Sequence, residues 1–230
     1  MIHLGRITKS TNIYINSSIL YIVIFIVTIS CDGTNYLTLH GETMGTTYSV
    51  KINNPKNVKV WILQAEVDSI LNSINDIFST YIKDSEINKF NNYLDTDKIN
   101  VSDEFIYVLN KAKDVYINSD NYYDITVNKI IDLWDLNKVK GEYIIPTKNM
   151  INNTLKAVGF DKIIIQDNYL QKQNGNIELD CNSLAKGYAV DRISQLLESK
   201  SIDDYMVDIG GEIRVQGMKD KDKFWSVGIQ

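Results

Sequence analysis

The spacing of apolar residues changes period near residue 160, and that change restricts the fold more than any other feature of the chain. From Val58 to Phe78, the residues Leu63, Val67, Ile70, Leu71, Ile74, Ile77 and Phe78 recur at helical intervals. Ser102 followed by Asp103 and Glu104 reads as an N-cap with an acidic first turn. Phe105, Val108, Leu109, Ala112 and Val115 then mark a second helix. Thr147 after Pro146 opens a third, through Met150, Ile151, Leu155 and Val158. Beyond this point the runs shorten and become β-rich: Lys162–Ile165, Tyr169–Lys172 and Ile177–Leu179, with Asn174-Gly175 read as a hairpin turn between the last two. A helix from about Leu184 to Leu197 follows. Strands near Tyr205–Ile209 and Glu212–Gln216 flank Gly210-Gly211, and Phe224–Ile229 reads as another strand. An early strand, Thr46 to Ile52, is ended by Pro55. Helices first and hairpins later predict an α+β fold, with mixed or antiparallel hairpins against packed helices, rather than regular βαβ winding.

The first thirty residues read as an address. Arg6 and Lys9 precede a polar stretch, and Ile19 to Ile29 is almost wholly apolar. A basic start and a run of that length describe a secretory signal, too short for a transmembrane span. Ser30 and Cys31 close the run in the manner of a bacterial lipobox, which makes Cys31 the expected lipidated first residue of the mature chain; the alternative is an uncleaved anchor helix. Both place the remainder outside the cytoplasm, tethered to a membrane. Asp32 resembles an inner-membrane retention signal. The expected division is therefore a lipoprotein-type signal over 1–30 and a single domain over 31–230. Net charge is −5, which gives no electrostatic footprint for nucleic acid. Two cysteines make no disulfide framework.

Four stretches carry possible chemistry, each with a plainer alternative. Gly41 to Tyr48 places two glycines around Met44, which allows close backbone approach to a ligand or simply makes a turn. Ser79-Thr80-Tyr81 ends the long helix, so Tyr81 either stacks on an aromatic ligand or is an ordinary tyrosine. Tyr122, Tyr123 and Asp124 precede Ile125-Thr126-Val127 and suit a flavin or adenine ring, or a half-buried strand. Leu179 to Asp191 is the most informative. Asp180 ends a strand, Asn182 or Ser183 caps the next helix, and Lys186 adds positive charge at a helix mouth able to bind phosphate. A carboxylate and a hydroxyl there suit Mg²⁺ held with phosphate oxygens; the alternative is a capped helix with a solvated lysine. Downstream, Gly210-Gly211 makes either an anion-binding nest or a bulge.

Taken in order, Gly41–Thr46, Ser79–Tyr81, Tyr123–Val127, Leu179–Asp191 and Asp208–Glu212 resemble the ApbE family of FAD:protein FMN transferases. The resemblance implies that Mg²⁺ and FAD are used to attach FMN to a threonine or serine of an acceptor. Acceptors of the family are exported or membrane redox proteins, such as quinone-reductase and other electron-transport subunits. It implies that Met44, Tyr81, Tyr122, Tyr123, Asp124, Asp180 and Lys186 contact FAD and that Ser183 is a magnesium ligand. It also implies a lipid-anchored location on the periplasmic side of the bacterial inner membrane. Two family stretches, H-x-I-D-P with its histidine and D-A-x-x-T with further magnesium ligands, have no counterpart before Gln230. The expectation is thus the N-terminal portion of the family fold, with the catalytic residue unassigned. Cys181, Asp208 and Glu212 depart from the commoner family residues, and a buried thiol is expected at 181.

Overall fold

A computed structural model describes residues 36–53, 55, 58–136, 145–220 and 222–228. The signal segment, Cys31 and Asp32 lie outside the described residues. None of the described helices is long and apolar enough to cross a membrane.

The chain opens with strands β1 (Tyr36–Thr43) and β2 (Thr46–Asn53). Helices α1 (Val60–Phe78) and α2 (Glu86–Asn92), the short strand β3 (Ile99–Asn100), and helices α3 (Asp103–Asn118), α4 (Asn128–Leu133) and α5 (Lys148–Leu155) follow. A 3-10 turn (Phe160–Lys162) leads into β4 (Ile163–Gln166) and β5 (Tyr169–Lys172), then α6 (Asn182–Ser199), β6 (Tyr205–Ile209) and β7 (Glu212–Gln216). Two small strands, β8 (Met218–Asp220) and β9 (Lys223–Phe224), pair with each other. The fold is α+β, as the change of period predicts.

The main sheet has the order β1-β2-β6-β7, every pair antiparallel. Its inner face follows from strict alternation: Tyr48, Val50 and Ile52 on β2, and Tyr205, Val207 and Ile209 on β6, are all buried. Val50 sits opposite Val207, so both strands turn the same face inward. The apolar stripe of α1 (Leu63, Val67, Leu71, Ile74, Ile77, Phe78) and that of α6 (Ala185, Ala189, Val190, Ile193, Leu197) join these strand residues in one core. Each large side chain so buried contributes roughly 1.5–3 kcal/mol. Gly210 and Gly211 have φ of 57° and 98°, the positive values a two-residue hairpin turn needs, and they join β6 to β7 with Ile209 opposite Glu212. At the other hairpin, Gly41 lies in β1 because a Cβ there would stand 2.5 Å from the ring of Tyr48.

Two of the N-caps read from the sequence are present. Ser102 accepts from the Phe105 N–H at 3.2 Å, and Thr147 from the Met150 N–H at 3.3 Å. Glu86 adds a second fastening, accepting from the Ser102 N–H and hydroxyl at 2.6 Å each.

Four expectations are corrected. Asn174-Gly175 makes a turn, with the Ile177 N–H donating to the Asn174 carbonyl at 3.0 Å, but no hairpin; the hairpin is β4–β5, which turns through Asp167 and Asn168 with Asp167 at φ 50°. Ile177–Leu179 is not a strand. It is held by side chains from elsewhere, and Gly175 is required because a Cβ there would fall 1.8 Å from the backbone oxygen of Leu94. The N-cap position of α6 is Cys181, which makes no side-chain cap; Asp180 Oδ1 instead accepts from the Asn182 N–H at 2.7 Å. Of the expected strand Phe224–Ile229, the described residues 224–228 are strand only at Phe224, paired within β8–β9, and the Trp225 indole N–H beyond it donates to the Gln216 carbonyl at 3.1 Å.

Candidate functional site

Three elements far apart in sequence converge on one cavity of about 620 Å³. The β1–β2 turn contributes Met44 and Gly45. The end of α1 and the loop after it contribute Asn75, Phe78, Ser79, Tyr81 and Ile82. The first turn of α6 contributes Asn182, Ala185 and Lys186. Met44 takes a left-handed conformation, φ 49°, so it sits at the tip of the turn, and it also packs on the edge of the core. Tyr81 is 83% exposed, so its ring is available to a planar ligand. Lys186 reaches from one turn inside α6 and pairs with Glu212 Oε2 at 2.8 Å. The cavity thus combines apolar wall, an exposed aromatic ring, a cation and a helix N-terminus, the features that accept a ring joined to phosphate.

Of the residues singled out from sequence, Met44, Tyr81 and Lys186 share this cavity. Tyr122, Tyr123, Asp124, Asp180 and Ser183 do not line it. Tyr122 is 93% exposed. Tyr123 shares a 2.8 Å hydrogen bond with the Ser183 hydroxyl, and burial raises its pKa, opposed by that bond. Asp124 is engaged in structure: Oδ1 accepts from the N–H and hydroxyl of Thr126 at 2.8 and 2.7 Å, and Oδ2 from the Phe160 N–H at 3.1 Å. Asp180 holds Asn182 through its backbone N–H and, at 3.2 Å, its side-chain amide. Ser183 faces a second groove of about 530 Å³ between α3, α6 and β7, which Tyr107, Tyr188 and Arg214 also line. The Lys186–Glu212 pair joins a residue of the cavity to one of this groove. Cys181 is fully buried, as expected, and burial pushes its thiol pKa far up.

Sequence reasoning passed over Asn75, Phe78 and Asn182 as cavity residues and Glu212 as the partner of Lys186. Asn75 carried a faint signal, being a polar residue between Ile74 and Phe78 at the apolar end of α1, where it donates to the Thr43 hydroxyl at 3.2 Å. Among the described residues no group of three or more His, Cys, Asp or Glu side chains is placed to hold a metal. Ser183 alone does not make a magnesium site, and the described donors do not fit one without oxygens from a ligand.

The family profile of ApbE matches residues 44–230, most of the chain. The chain belongs to the ApbE family. The FAD:protein FMN transferase of Vibrio cholerae serotype O1 is 34% identical over 193 residues, covering 84% of this chain and 58% of that protein. A solved structure of the flavin transferase ApbE from Vibrio cholerae superimposes with a TM-score of 0.81 at 32% identity, over 85% of this chain and 64% of that one. The apo flavinyl transferase ApbE of Pseudomonas stutzeri gives 0.80 at 28% identity, over 85% and 63%. This ApbE-family chain therefore spans about three fifths of the length of the curated relatives it matches.

Proposed function

We propose that this chain works as an FAD:protein FMN transferase, acting on a threonine or serine of an exported or membrane redox protein, such as a quinone-reductase or other electron-transport subunit. The observation that supports this most is the convergence of Met44, Tyr81 and Lys186 on one cavity, from positions 37 and 105 residues apart in sequence. In this reading Tyr81 stacks on a ring of FAD and Met44 packs beside it. Lys186 and the N-terminus of α6 face the pyrophosphate, where their positive charge offsets that of the phosphates. The acceptor hydroxyl oxygen bonds to the FMN phosphorus, the bond from that phosphorus to the bridging oxygen breaks, AMP leaves with that oxygen, and the hydroxyl proton passes to a base. Catalysis of this kind depends on position and charge neutralisation. Mg²⁺ belongs to the same proposal: Ser183, in the groove that the Lys186–Glu212 pair joins to the cavity, would be its protein ligand, and the ion would supply charge neutralisation at the phosphates. Tyr122, Tyr123, Asp124 and Asp180 would bear on FAD at the rim or by shaping the start of α6. Anchoring through a lipidated Cys31, on the periplasmic side of the bacterial inner membrane, completes the reading.

The test combines residues 32–230, FAD, Mg²⁺ and a threonine-bearing quinone-reductase subunit, followed by denaturing electrophoresis and in-gel flavin fluorescence. A fluorescent acceptor band abolished by EDTA is expected. FAD bound but left intact would assign the chain to flavin binding alone, and free FMN with AMP would assign it to pyrophosphate hydrolysis. Lys186→Ala should weaken FAD binding by about 1.5–3 kcal/mol, the worth of a charge-assisted contact. Unchanged affinity, read by quenching of FAD fluorescence, would remove Lys186 from the site.

A further inference from the structure

The seven-residue helix α2 is fastened at both ends by side-chain hydrogen bonds to backbone carbonyls. At its N-terminal end the Asn88 side-chain amide donates to the carbonyls of Thr80 and Ile82 at 2.9 and 2.8 Å and lies 3.4 Å from that of Ser79. The fully buried Ser85 hydroxyl donates to the Ser79 carbonyl at 2.7 Å. These bonds define the path of the loop that carries Tyr81. At its C-terminal end the buried Asn91 makes a reciprocal pair with Leu179, donating to its carbonyl at 2.9 Å and accepting from its N–H at 2.8 Å. Lys172, fully buried, caps the same end: its ammonium donates to the carbonyls of Phe90 and Ile177 at 3.0 and 3.1 Å and to that of Asn91 at 3.4 Å, over the ring of Phe90. The segment so held runs directly into Asp180, whose N–H donates to the Ile125 carbonyl at 2.8 Å and whose carboxylate fixes the first N–H of α6.

The two walls that these ends hold belong to the same cavity: Ser79, Tyr81 and Ile82 on one, Asn182, Ala185 and Lys186 on the other. We propose that α2 is a strut that sets the separation of the Tyr81 loop from the start of α6, with Asn88 and Asn91 as its positioning residues and Lys172 as the lock on its C-terminal end. Neither asparagine lines the cavity. Both act through backbone groups, and a backbone held by directional hydrogen bonds from side chains is fixed more narrowly than one held by apolar packing alone. In its bearing on flavin this inference rests on the function proposed above.

Asn88→Ala breaks one end of the strut and Asn91→Leu, close in volume, breaks the other. Leu197→Ala serves as the control for lost stability, since Leu197 is buried eleven residues along α6 from Lys186, roughly 16 Å at 1.5 Å per residue. All chains are compared at a temperature where circular dichroism shows them folded. The first readout needs no ligand. Asn91→Leu should speed amide exchange about tenfold at Tyr81 and Ile82, which it does not touch, as well as at Leu179 and Asn182. Asn88→Ala should do the reciprocal, and it decides the matter alone if Asn91→Leu fails to fold. The second readout is FAD affinity: each single variant should raise Kd about fivefold or more, and the double variant no further, since a strut broken at one end is already broken. Faster exchange confined to the mutated end, effects on Kd that multiply, or an equal effect of Leu197→Ala would overturn the strut. If the unsubstituted chain binds no FAD, the flavin reading fails while the exchange data still decide the strut.

Discussion

The layer formed by the main sheet with α1 and α6 is buried and apolar, whereas the segment from Lys172 to Asp180 buries only Lys172, Ile177 and Leu179, and the two are held by different means. The first is lined by Val50, Ile52, Val207, Ile74 and Ile193, side chains without direction, in a packing that tolerates neighbours of similar size. The second is threaded past α2 by Lys172 and Asn91, whose hydrogen bonds each have one acceptable geometry, and past Leu94 by a glycine with no room for a methyl group. Apolar burial gives the molecule its bulk stability. The polar staples give one segment its exact path, and that segment leads to the helix N-terminus at the cavity.

The contrast should be sharpest at Gly175. Gly175→Ala drives a methyl group into the Leu94 carbonyl, and with backbone on both sides little can move. A loss of about 3 kcal/mol, at the upper end for overpacking, is expected in urea denaturation; a loss under 1 kcal/mol would show that the segment is as tolerant as the apolar layer. Lys172→Met comes next. It orphans carbonyls of α2 while relieving the burial of a charge, and the balance at pH 7 is a loss of about 1–2 kcal/mol. The pH dependence is more telling. Burial pulls the Lys172 pKa from 10.5 down to about 8, against the pull of Glu178 upward and with Lys129 adding to the fall. Between those values the unfolded chain keeps a proton that the folded chain has given up, so this residue's contribution to stability is least below pH 8 and rises toward pH 10.5. The gap between the unsubstituted chain and Lys172→Met should therefore widen across that window by on the order of 2 kcal/mol. The buried Tyr48 phenol, its pKa pushed up to about 12 mainly by burial, with Asp68 beside it, runs the opposite way but cancels in that difference. A gap independent of pH would mean that Lys172 is not held as a buried ammonium.

In the apolar layer, Ile74→Val should cost only about 1 kcal/mol, with the transition as cooperative as before. Smallest of all, Lys200→Ala removes an exposed ion pair with Glu66 at 2.8 Å and should shift stability by under about 0.5 kcal/mol, an effect that shrinks further in salt.

The same division separates what the sequence made legible from what it did not. Apolar spacing located α1, α3, α5, α6, β2, β6 and β7 closely, because helices and strands that bury one face must repeat. Ser102 and Thr147 announced their helices, because capping is local. Asn174-Gly175 marked a real turn but no hairpin, because the segment after it bonds to the side chains of Lys172 and Asn91 and not to the backbone of β5. Lys172 and Asn91 gave no signal at all, since a buried polar residue is defined by partners 82 and 88 positions away. At the site, Met44, Tyr81 and Lys186 were legible through family motifs. The capping role of Asp180 and the engagement of Asp124 in a turn required the backbone path, which no spacing encodes.

Cys181 stands at the junction between the stapled segment and α6. A thiol at a helix start is ordinarily activated, but here complete burial prevails and the sulfur is protonated and enclosed. With Cys31 replaced by serine, it is the one remaining sulfhydryl. Its rate of alkylation by iodoacetamide then becomes a clock that ticks only when the cavity wall comes apart.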